Sequence, residues 1–357
     1  MGIKRKKLLL LFMLPFFLTG CWDKKDPEDR TFILALGIDR KGEGCQFTFA
    51  PADIETGEAE TYRAESRTLA AAVAEVDTKI SRQTELGQLK TIVFSRAVLE
   101  NRGLMQSLLQ ELERSQAVSE KVMLLATEGQ AADCVDAVMA ADGKTGLFLW
   151  DFYKNTAGEV AVTKGIDLDT FLTEQAERKG NAIIPRISVK DGKVEVGGAI
   201  ALSERETNVL TNMEEQGYLF LLGEAEGALL EAEYKGEVIP LEVGRSEVQY
   251  DFSVEEEEIL CRITLPLEGT IQGGEGTLLS PEKRKELEQI FGEHIKEEVQ
   301  HTIKIAERAK ADLFGILPRM VQQEPSLAAD ISDEALWRSL RFEIVPDLKL
   351  KDMGRKR

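Results

Sequence analysis

The segment TFILALGID, residues 31–39, is an apolar run that ends at Gly37 and Asp39 and has the length of one β-strand. Apolar and polar residues then alternate in CQFTFA, residues 45–50, which predicts a second strand. The polar, glycine-containing segment RKGEG lies between them at residues 40–44. The two strands are therefore predicted to form a β-hairpin.

Predicted helices and strands alternate from this hairpin to about residue 142. A helix with Ser66 as its N-cap is expected to carry the apolar stripe Leu69, Val73, Val76 and Ile80. Strands that alternate with amphipathic helices are typical of an α/β layered domain. The other elements expected up to residue 142 are strands at 91–95 and 121–127 and helices at 101–115 and 130–141. A further helix is expected at 168–178, in the connection to the second half.

The second half has a different pattern, in which short strands precede one long helix. That helix is predicted to start after Ser280, its N-cap, with Pro281 in the first turn, and to end near Leu313. Its apolar stripe is Leu287, Ile290, Phe291, Ile295, Val299, Ile303 and Ala306. Strands are expected at 183–189, 193–202, 218–222, 226–234, 246–254, 257–268 and 339–350.

These patterns predict an α/β and α+β protein of several domains, with mixed β-sheets flanked by helices. An N-terminal α/β domain with a connecting segment is expected at 21–180, a middle β-rich domain at 181–235 and a C-terminal α+β domain with one long helix at 236–357. The connecting segment contains four aromatic residues between 148 and 153. Packing between domains is favoured for them over an exposed partner site.

Residues 1–20 have the features of a signal peptide, with a basic cluster at 4–7 and an apolar run at 8–18. That run is shorter than the ~20 residues that a membrane-spanning helix needs. It ends in LTGC, residues 18–21, which resembles a bacterial lipobox. Cys21 would then carry a diacylglyceryl thioether and an N-acyl group, and cleavage would make it the mature N-terminus. Several acyl chains hold a protein stably at a membrane, whereas one holds it only reversibly.

The charge of the chain is strongly acidic, with a net value of -18. Removal of residues 1–20 takes away four basic and no acidic residues, so the mature charge is -22. Anionic lipid head groups would repel such a body, and the lipid at Cys21 would have to hold it. Nucleic acid is not expected as a partner, because binding phosphates requires a basic face.

No sequence motif indicates catalysis or the binding of a metal ion or cofactor. The segment GKT at 143–145 lacks the upstream glycine of a P-loop, since Val138 stands at that position. The two histidines, His294 and His301, lie about 10.5 Å apart along the long helix, too far for one metal ion. We therefore expect no enzymatic activity, catalytic residue, cofactor or metal. Cys45, Cys134 and Cys261 are predicted to be small buried thiols.

The order of several short motifs resembles the C-subunit lipoproteins of bacterial spore germinant receptors, the Ger(x)C family. The motifs are Cys21-Trp22-Asp23, Leu36-Gly37-Ile38-Asp39, Val196-Gly197-Gly198-Ala199-Ile200, Asp312-Leu313-Phe314-Gly315 and Trp337. The chain departs from the family pattern at residues 24–27, at Gln88 and at Ala201, which leaves the receptor type open.

The resemblance implies a fold of three α/β domains and a non-enzymatic receptor subunit for small nutrients. It also implies two membrane-embedded partners, the A and B subunits, and a lipid-anchored position on the outer face of the inner spore membrane. Whether this subunit contacts the nutrient stays open. The alternatives are a lipid-anchored solute-binding protein of a transporter and, less favoured, a secreted hydrolase.

Overall fold

The structure is a computed structural model that describes residues 29–52, 60–140, 147–155, 160–161, 163–178, 180–203, 207–255, 258–272, 279–328 and 333–351. It contains two β-sheets with helices packed on them. The multi-domain mixed α/β class predicted from the sequence is thereby confirmed.

The first sheet and its helices occupy the chain as far as residue 210. Their bounds are β1 (Arg30–Lys41), β2 (Gly44–Pro51), β3 (Tyr62–Ser66), α1 (Leu69–Asp77), β4 (Gln83–Glu85), β5 (Thr91–Ser95), α2 (Arg96–Leu99), α3 (Arg102–Arg114), β6 (Met123–Thr127), α4 (Ala131–Ala140), α5 (Phe148–Asn155), β7 (Ile166–Asp167), α6 (Leu168–Glu177), β8 (Ala182–Lys190), β9 (Lys193–Leu202) and β10 (Thr207–Leu210).

The strand order of the first sheet is β10-β9-β8-β6-β5-β1-β2-β3. Strands β1, β5, β6 and β8 are parallel, and the hairpin predicted between β1 and β2 is confirmed by the pairs Arg40–Cys45 and Lys41–Gly44. One face packs against α1, α3 and α6, and the other packs against α4 and α5. Both faces are thus covered by helices, which explains why residues 33–39 of β1 are buried without interruption.

The second sheet and its helices follow from residue 212. Their bounds are α7 (Asn212–Leu222), β11 (Leu229–Tyr234), β12 (Glu237–Ser246), β13 (Gln249–Glu255), β14 (Glu258–Ile271), α8 (Pro281–Ala309), α9 (Ile316–Gln323), α10 (Pro325–Ala328), α11 (Asp333–Ser339) and β15 (Leu340–Lys351).

Strand β14 is the centre of the second sheet. It pairs in parallel with β15 along one edge, and its other edge pairs with β13 near its start and with β12 near its end. Parallel neighbours need a long connection, and here that connection includes α8. The apolar stripe predicted for α8 faces the core, with only Ile290 half-buried.

Three sequence predictions about local structure were wrong. The strand expected at 218–222 is the end of helix α7. Its continuous apolar run, YLFLL, has no periodicity that separates a buried strand from a buried helix. Thr68 rather than Ser66 caps α1, because Ser66 still belongs to β3, and α1 ends at Asp77, before Ile80 of its predicted apolar stripe. Helix α8 ends at Ala309, where Lys310 adopts a left-handed conformation.

The strands that follow residue 180 continue the first sheet. Strand β8 pairs with β6 through Ala126 and Arg186, and β9 and β10 extend the sheet beyond it. Helix α7 packs between β9 and α8, so it joins the two halves of the molecule. The expected domain boundaries at residues 180 and 235 stay a prediction.

Candidate functional site

The lipidation residue predicted from the sequence, Cys21, lies outside the described residues. The three other cysteines are buried and free, as predicted. Burial raises the pKa of the Cys45 thiol to about 11 and that of the Cys261 thiol to about 12. These thiols therefore have the character of core side chains rather than of nucleophiles.

The motif at residues 36–39 positions helix α4 on the first sheet. The Asp39 carboxylate is buried and accepts hydrogen bonds from the backbone N–H groups of Ala131 (2.7 Å) and Ala132 (2.9 Å) at the start of that helix. A Cβ atom on Gly37 would lie 3.0 Å from the Ala131 carbonyl oxygen, so glycine allows the helix to approach. The motif has a structural role in this chain.

We expect Asp39→Ala to destabilise the protein by about 2–4 kcal/mol, because two buried N–H groups and a helix N-terminus lose their acceptor. Equilibrium denaturation by urea would measure the change. Asp133→Ala is a matched control, since Asp133 is an exposed acidic residue in the first turn of the same helix. A destabilisation equal to that of the control would contradict the capping role.

The motif at residues 312–315 has a similar arrangement. The buried Asp312 carboxylate accepts from the backbone N–H groups of Ile316 and Leu317, both at 2.8 Å, at the start of α9. Burial raises the pKa of Asp312, and these two N–H groups oppose that shift. Arg178, which follows α6, donates to the Leu313 carbonyl oxygen at 2.9 Å. This motif therefore connects the two halves of the protein.

A cleft of about 570 Å³ lies between the two halves. Strands β6 and β7 contribute Met123 and Asp167 to its wall, α5 contributes Trp150 and Tyr153, and α7 contributes Leu219. Gly165 also lines the cleft, and a Cβ atom there would lie 3.1 Å from Cδ1 of Tyr153. The volume is within the range of small-molecule sites in proteins.

Two hydroxyl groups of the cleft wall have no hydrogen-bond partner in the described part of the chain: Tyr153 Oη and Thr163 Oγ1. Both side chains are buried. The Thr163 hydroxyl is near enough to oppose the rise that burial causes in the pKa of Tyr153, but the pair does not have hydrogen-bond geometry. Nearly all buried polar groups in proteins have a partner. Among the described residues, nine other buried side-chain atoms share this lack of a partner.

The two lysines of the cleft lining are paired with carboxylate groups. Lys164 Nζ lies 3.0 Å from Glu224 Oε1 and 3.9 Å from Glu174 Oε1. Lys121 Nζ lies 3.1 Å from carboxylate oxygens of both Asp167 and Asp169. The positive charges of this cleft are therefore compensated by the protein itself.

Glu215 of α7 has a buried carboxyl group close to Lys164 of the cleft lining. Burial raises its pKa to about 8, although the Lys164 backbone N–H and the Lys164 charge favour the ionised form. Its Oε2 atom has no hydrogen-bond partner among the described residues. Glu215 is therefore largely protonated at neutral pH.

The long helix α8 carries the two histidines. His294 Nε2 lies 3.9 Å from Glu298 Oε1, and burial raises the pKa of Glu298 to about 7. Among the described residues, no group of three or more His, Cys, Asp or Glu side chains is arranged to hold a metal ion. No helix in this same part of the chain combines the length and apolar character needed to cross a membrane.

No motif in the sequence indicates the cleft. Trp150 and Tyr153 belong to the aromatic segment at residues 148–153, but Thr163, Lys164 and Glu215 belong to no motif. The sequence does contain one local pattern near these residues. Thr211 and Glu214 form the T-x-x-E pattern of a capping box, which marks the start of α7. It would have placed Glu215 on a helix.

Comparison with known proteins gave matches over nearly the whole chain. Residues 23–189 match the family model described as spore germination protein N-terminal domain. Residues 197–354 match the model described as spore germination B3/GerAC like, C-terminal.

Two curated relatives and one solved structure are similar to the chain. Spore germination protein GerQC of Bacillus cereus is 23% identical in an alignment that covers 98% of this chain and 99% of that protein. Spore germination protein A3 of Bacillus subtilis (strain 168) is 19% identical over 277 residues, 74% of this chain and 73% of the relative. The crystal structure of the GerBC protein has a TM-score of 0.58 at 17% identity, covers 88% of this chain and 96% of its own, and so has the same fold.

Proposed function

Because the chain belongs to the Ger(x)C family of spore germination proteins, we propose that it is the lipid-anchored, non-enzymatic C subunit of a nutrient germinant receptor. The observation that carries this proposal is the match of both family domains, in order, over residues 23–189 and 197–354. The partners would be the membrane-embedded A and B subunits, as the resemblance implies. Family membership suggests membrane association, and the outer face of the inner spore membrane is the proposed location.

The proposed anchor constrains where the folded body lies. The N-terminal family match begins at Asp23, two residues after Cys21. Strand β1 begins at Arg30, whose guanidinium pairs with Glu85 at 2.8 Å. The nine residues from Cys21 to Arg30 can span at most about 30 Å. The start of β1 would therefore stay within this distance of the lipid head groups.

We expect Cys21→Ala to abolish lipidation and to release the protein from the spore membrane or deplete it, because the acyl chains are lost and anionic lipid head groups repel an acidic body. Membrane fractionation, mass spectrometry of the N-terminal peptide and nutrient-triggered germination would measure the effect. Lys24→Ala is the matched control, since it changes the same N-terminal segment outside the lipobox. Normal membrane retention of Cys21→Ala, or a native N-terminus without lipid, would refute the anchor.

Co-purification from detergent-solubilised spore membranes tests the receptor assignment. We expect two integral-membrane proteins to accompany the wild-type subunit and to be absent from the Cys21→Ala preparation. Recovery of transporter components instead would favour the alternative, a solute-binding protein.

A further inference from the structure

We propose that the contact between helix α7 and residues 163–165 of the first half is pH-dependent: it is closed while the Glu215 carboxyl group is protonated and opens locally when that group ionises. The contact, called here the α7 contact, lies at the junction of the two halves, since α7 starts the second half and residues 163–165 lead into β7 of the first sheet. This inference goes beyond the proposed function, because it does not depend on the lipid anchor or on receptor partners.

Glu215 lies on the side of α7 that meets the first half. Leu219, one helical turn further along, lines the cleft together with Lys164. The Lys164 backbone N–H donates a hydrogen bond to the Glu215 carboxyl group. Gly217 is on the opposite side of the helix, where a Cβ atom would lie 2.6 Å from the Glu298 carbonyl oxygen of α8. Opening of the α7 contact would therefore expose Glu215 and leave the packing of α7 on α8 in place.

Carboxyl groups outnumber cations at the α7 contact. Lys164 Nζ lies 3.0 Å from Glu224 Oε1 and 3.9 Å from Glu174 Oε1. Arg178 Nη1 lies 3.0 Å from the other oxygen of Glu174. With Glu215 protonated, two cations face two carboxylates, whereas its ionisation adds a third negative charge where burial keeps water away. The protonated form is therefore the one that fits the closed contact.

The closed contact offers little solvation to an ionised Glu215. Its Oε2 atom has no hydrogen-bond partner among the described residues, and Lys164 Nζ is engaged by Glu224. The cleft of about 570 Å³ lies alongside and is lined by Lys164, Gly165 and Leu219. Displacement of residues 163–165 would let water from the cleft reach the carboxylate. Such a local opening requires less rearrangement than global unfolding, so ionisation favours it.

The direction of the pH dependence follows from the burial of Glu215. In the closed contact burial raises its pKa from the ordinary 4.5 to about 8, and in the open contact water restores the ordinary value. Below pH 4.5 the carboxyl is protonated in both forms, so opening does not depend on pH. Between these two values opening releases a proton, and the opening constant rises by up to about tenfold per pH unit. Above pH 8 it levels off.

Other titratable groups lie on both sides of α7. On the α8 side, burial raises the pKa of Glu298 to about 7, and His294 Nε2 lies 3.9 Å from Glu298 Oε1. On the cleft side, burial raises the pKa of Tyr153 and Tyr218, so both stay neutral at pH 9. The remaining charged groups of the cleft wall, the start of α7 and the junction are Lys121, Asp167, Asp169, Glu226, Glu214 and Asp312.

Hydrogen–deuterium exchange on the full-length chain in detergent tests the proposal. The reporter is the Lys164 amide, resolved by fragmentation in the mass spectrometer at pH 6, 7, 8 and 9, with each rate divided by the intrinsic rate at that pH. We expect its opening constant to rise by about tenfold or more from pH 6 to 8 and to level off by pH 9. An opening constant that is independent of pH would overturn the proposal.

The slowest amides of β1 distinguish local opening from global unfolding. We expect the opening constant of Lys164 to exceed theirs by about tenfold or more at each pH, because the α7 contact opens while the first sheet stays folded. Equal opening constants for Lys164 and β1 would mean that only global unfolding exposes Glu215, and they would overturn the proposal.

Two variants assign the pH dependence to Glu215. Glu215→Gln can still accept from the Lys164 N–H but cannot ionise, so we expect its opening constant to stay within about twofold from pH 6 to 9. Glu298→Gln is the control, because it removes the other carboxyl of raised pKa, on the α8 side. We expect this control to keep the wild-type slope. A wild-type slope in Glu215→Gln, or loss of the slope in Glu298→Gln alone, would overturn the proposal.

Discussion

Gly217→Ala is expected to destabilise the protein by more than about 4 kcal/mol, the range of severe core disruptions. Gly217 lies on α7 where this helix crosses α8. A Cβ atom there would lie 2.6 Å from the Glu298 carbonyl oxygen and still closer to Thr302 Oγ1. Neither atom can move freely, because the carbonyl is in the middle of α8 and the Thr302 hydroxyl donates to the carbonyl oxygens of Glu214 and Glu298. The two helices would have to separate.

Gly292→Ala is the matched control for this prediction. Gly292 is also a buried glycine in a helix, α8, but a Cβ atom there meets Pro346 Cβ at an ordinary distance of 3.8 Å. We expect this variant to be more stable than wild type by about 0.5–1 kcal/mol, the usual advantage of alanine over glycine in a helix. Denaturation by guanidinium would compare both variants. A Gly217→Ala protein within about 1 kcal/mol of wild type would show that α7 and α8 do not pack in this way.

Glu215→Gln is expected to stabilise the protein by a few kcal/mol at pH 9 and to flatten its pH dependence. The pKa of Glu215 rises from the ordinary 4.5 to about 8 on folding. Below pH 4.5 the carboxyl is protonated in both states and imposes no penalty. As the pH rises towards 8 the unfolded state loses its proton first, so the free energy of unfolding falls by up to about 1.4 kcal/mol per pH unit. Above pH 8 the penalty is complete.

Other titratable groups lie near Glu215, so its effect is measured as a difference between two proteins. Lys164 faces Glu215 with its backbone N–H and its charge. Burial raises the pKa of Tyr153 and Tyr218, and the charge of Glu215 adds to this rise. Glu298 has a raised pKa of about 7 and adds a slope of the same sign, but it is present in both proteins and cancels in the difference. Denaturation at pH 5.5, 7 and 9 would give that difference. Glu233→Gln, on the exposed side of β11, is the control, and an equal pH dependence in both variants would contradict the assignment.

The sequence predictions were correct where the structure depends on residues close together in the chain, and wrong where it depends on contacts between distant segments. The β1–β2 hairpin was predicted correctly, because its alternation and its turn lie within about twenty residues. The buried face of α8 was also correct, since a repeat of 3.6 residues is visible in the sequence itself. The prediction for 218–222 was wrong because residues 217–221 of α7 are all buried between β9 and α8, and neither neighbour is adjacent in sequence.

The amino-acid sequence by itself determined the family, the hairpin and the amphipathic helices, because these depend on motif order and on the spacing of apolar residues. Only the tertiary structure decided that Tyr153, Thr163 and Glu224 meet at one cleft and that Glu215 is buried beside Lys164. The physical reason is that desolvation and unpaired hydrogen-bonding groups arise from atoms brought together by packing of the two halves. Such contacts leave no periodic pattern along the chain.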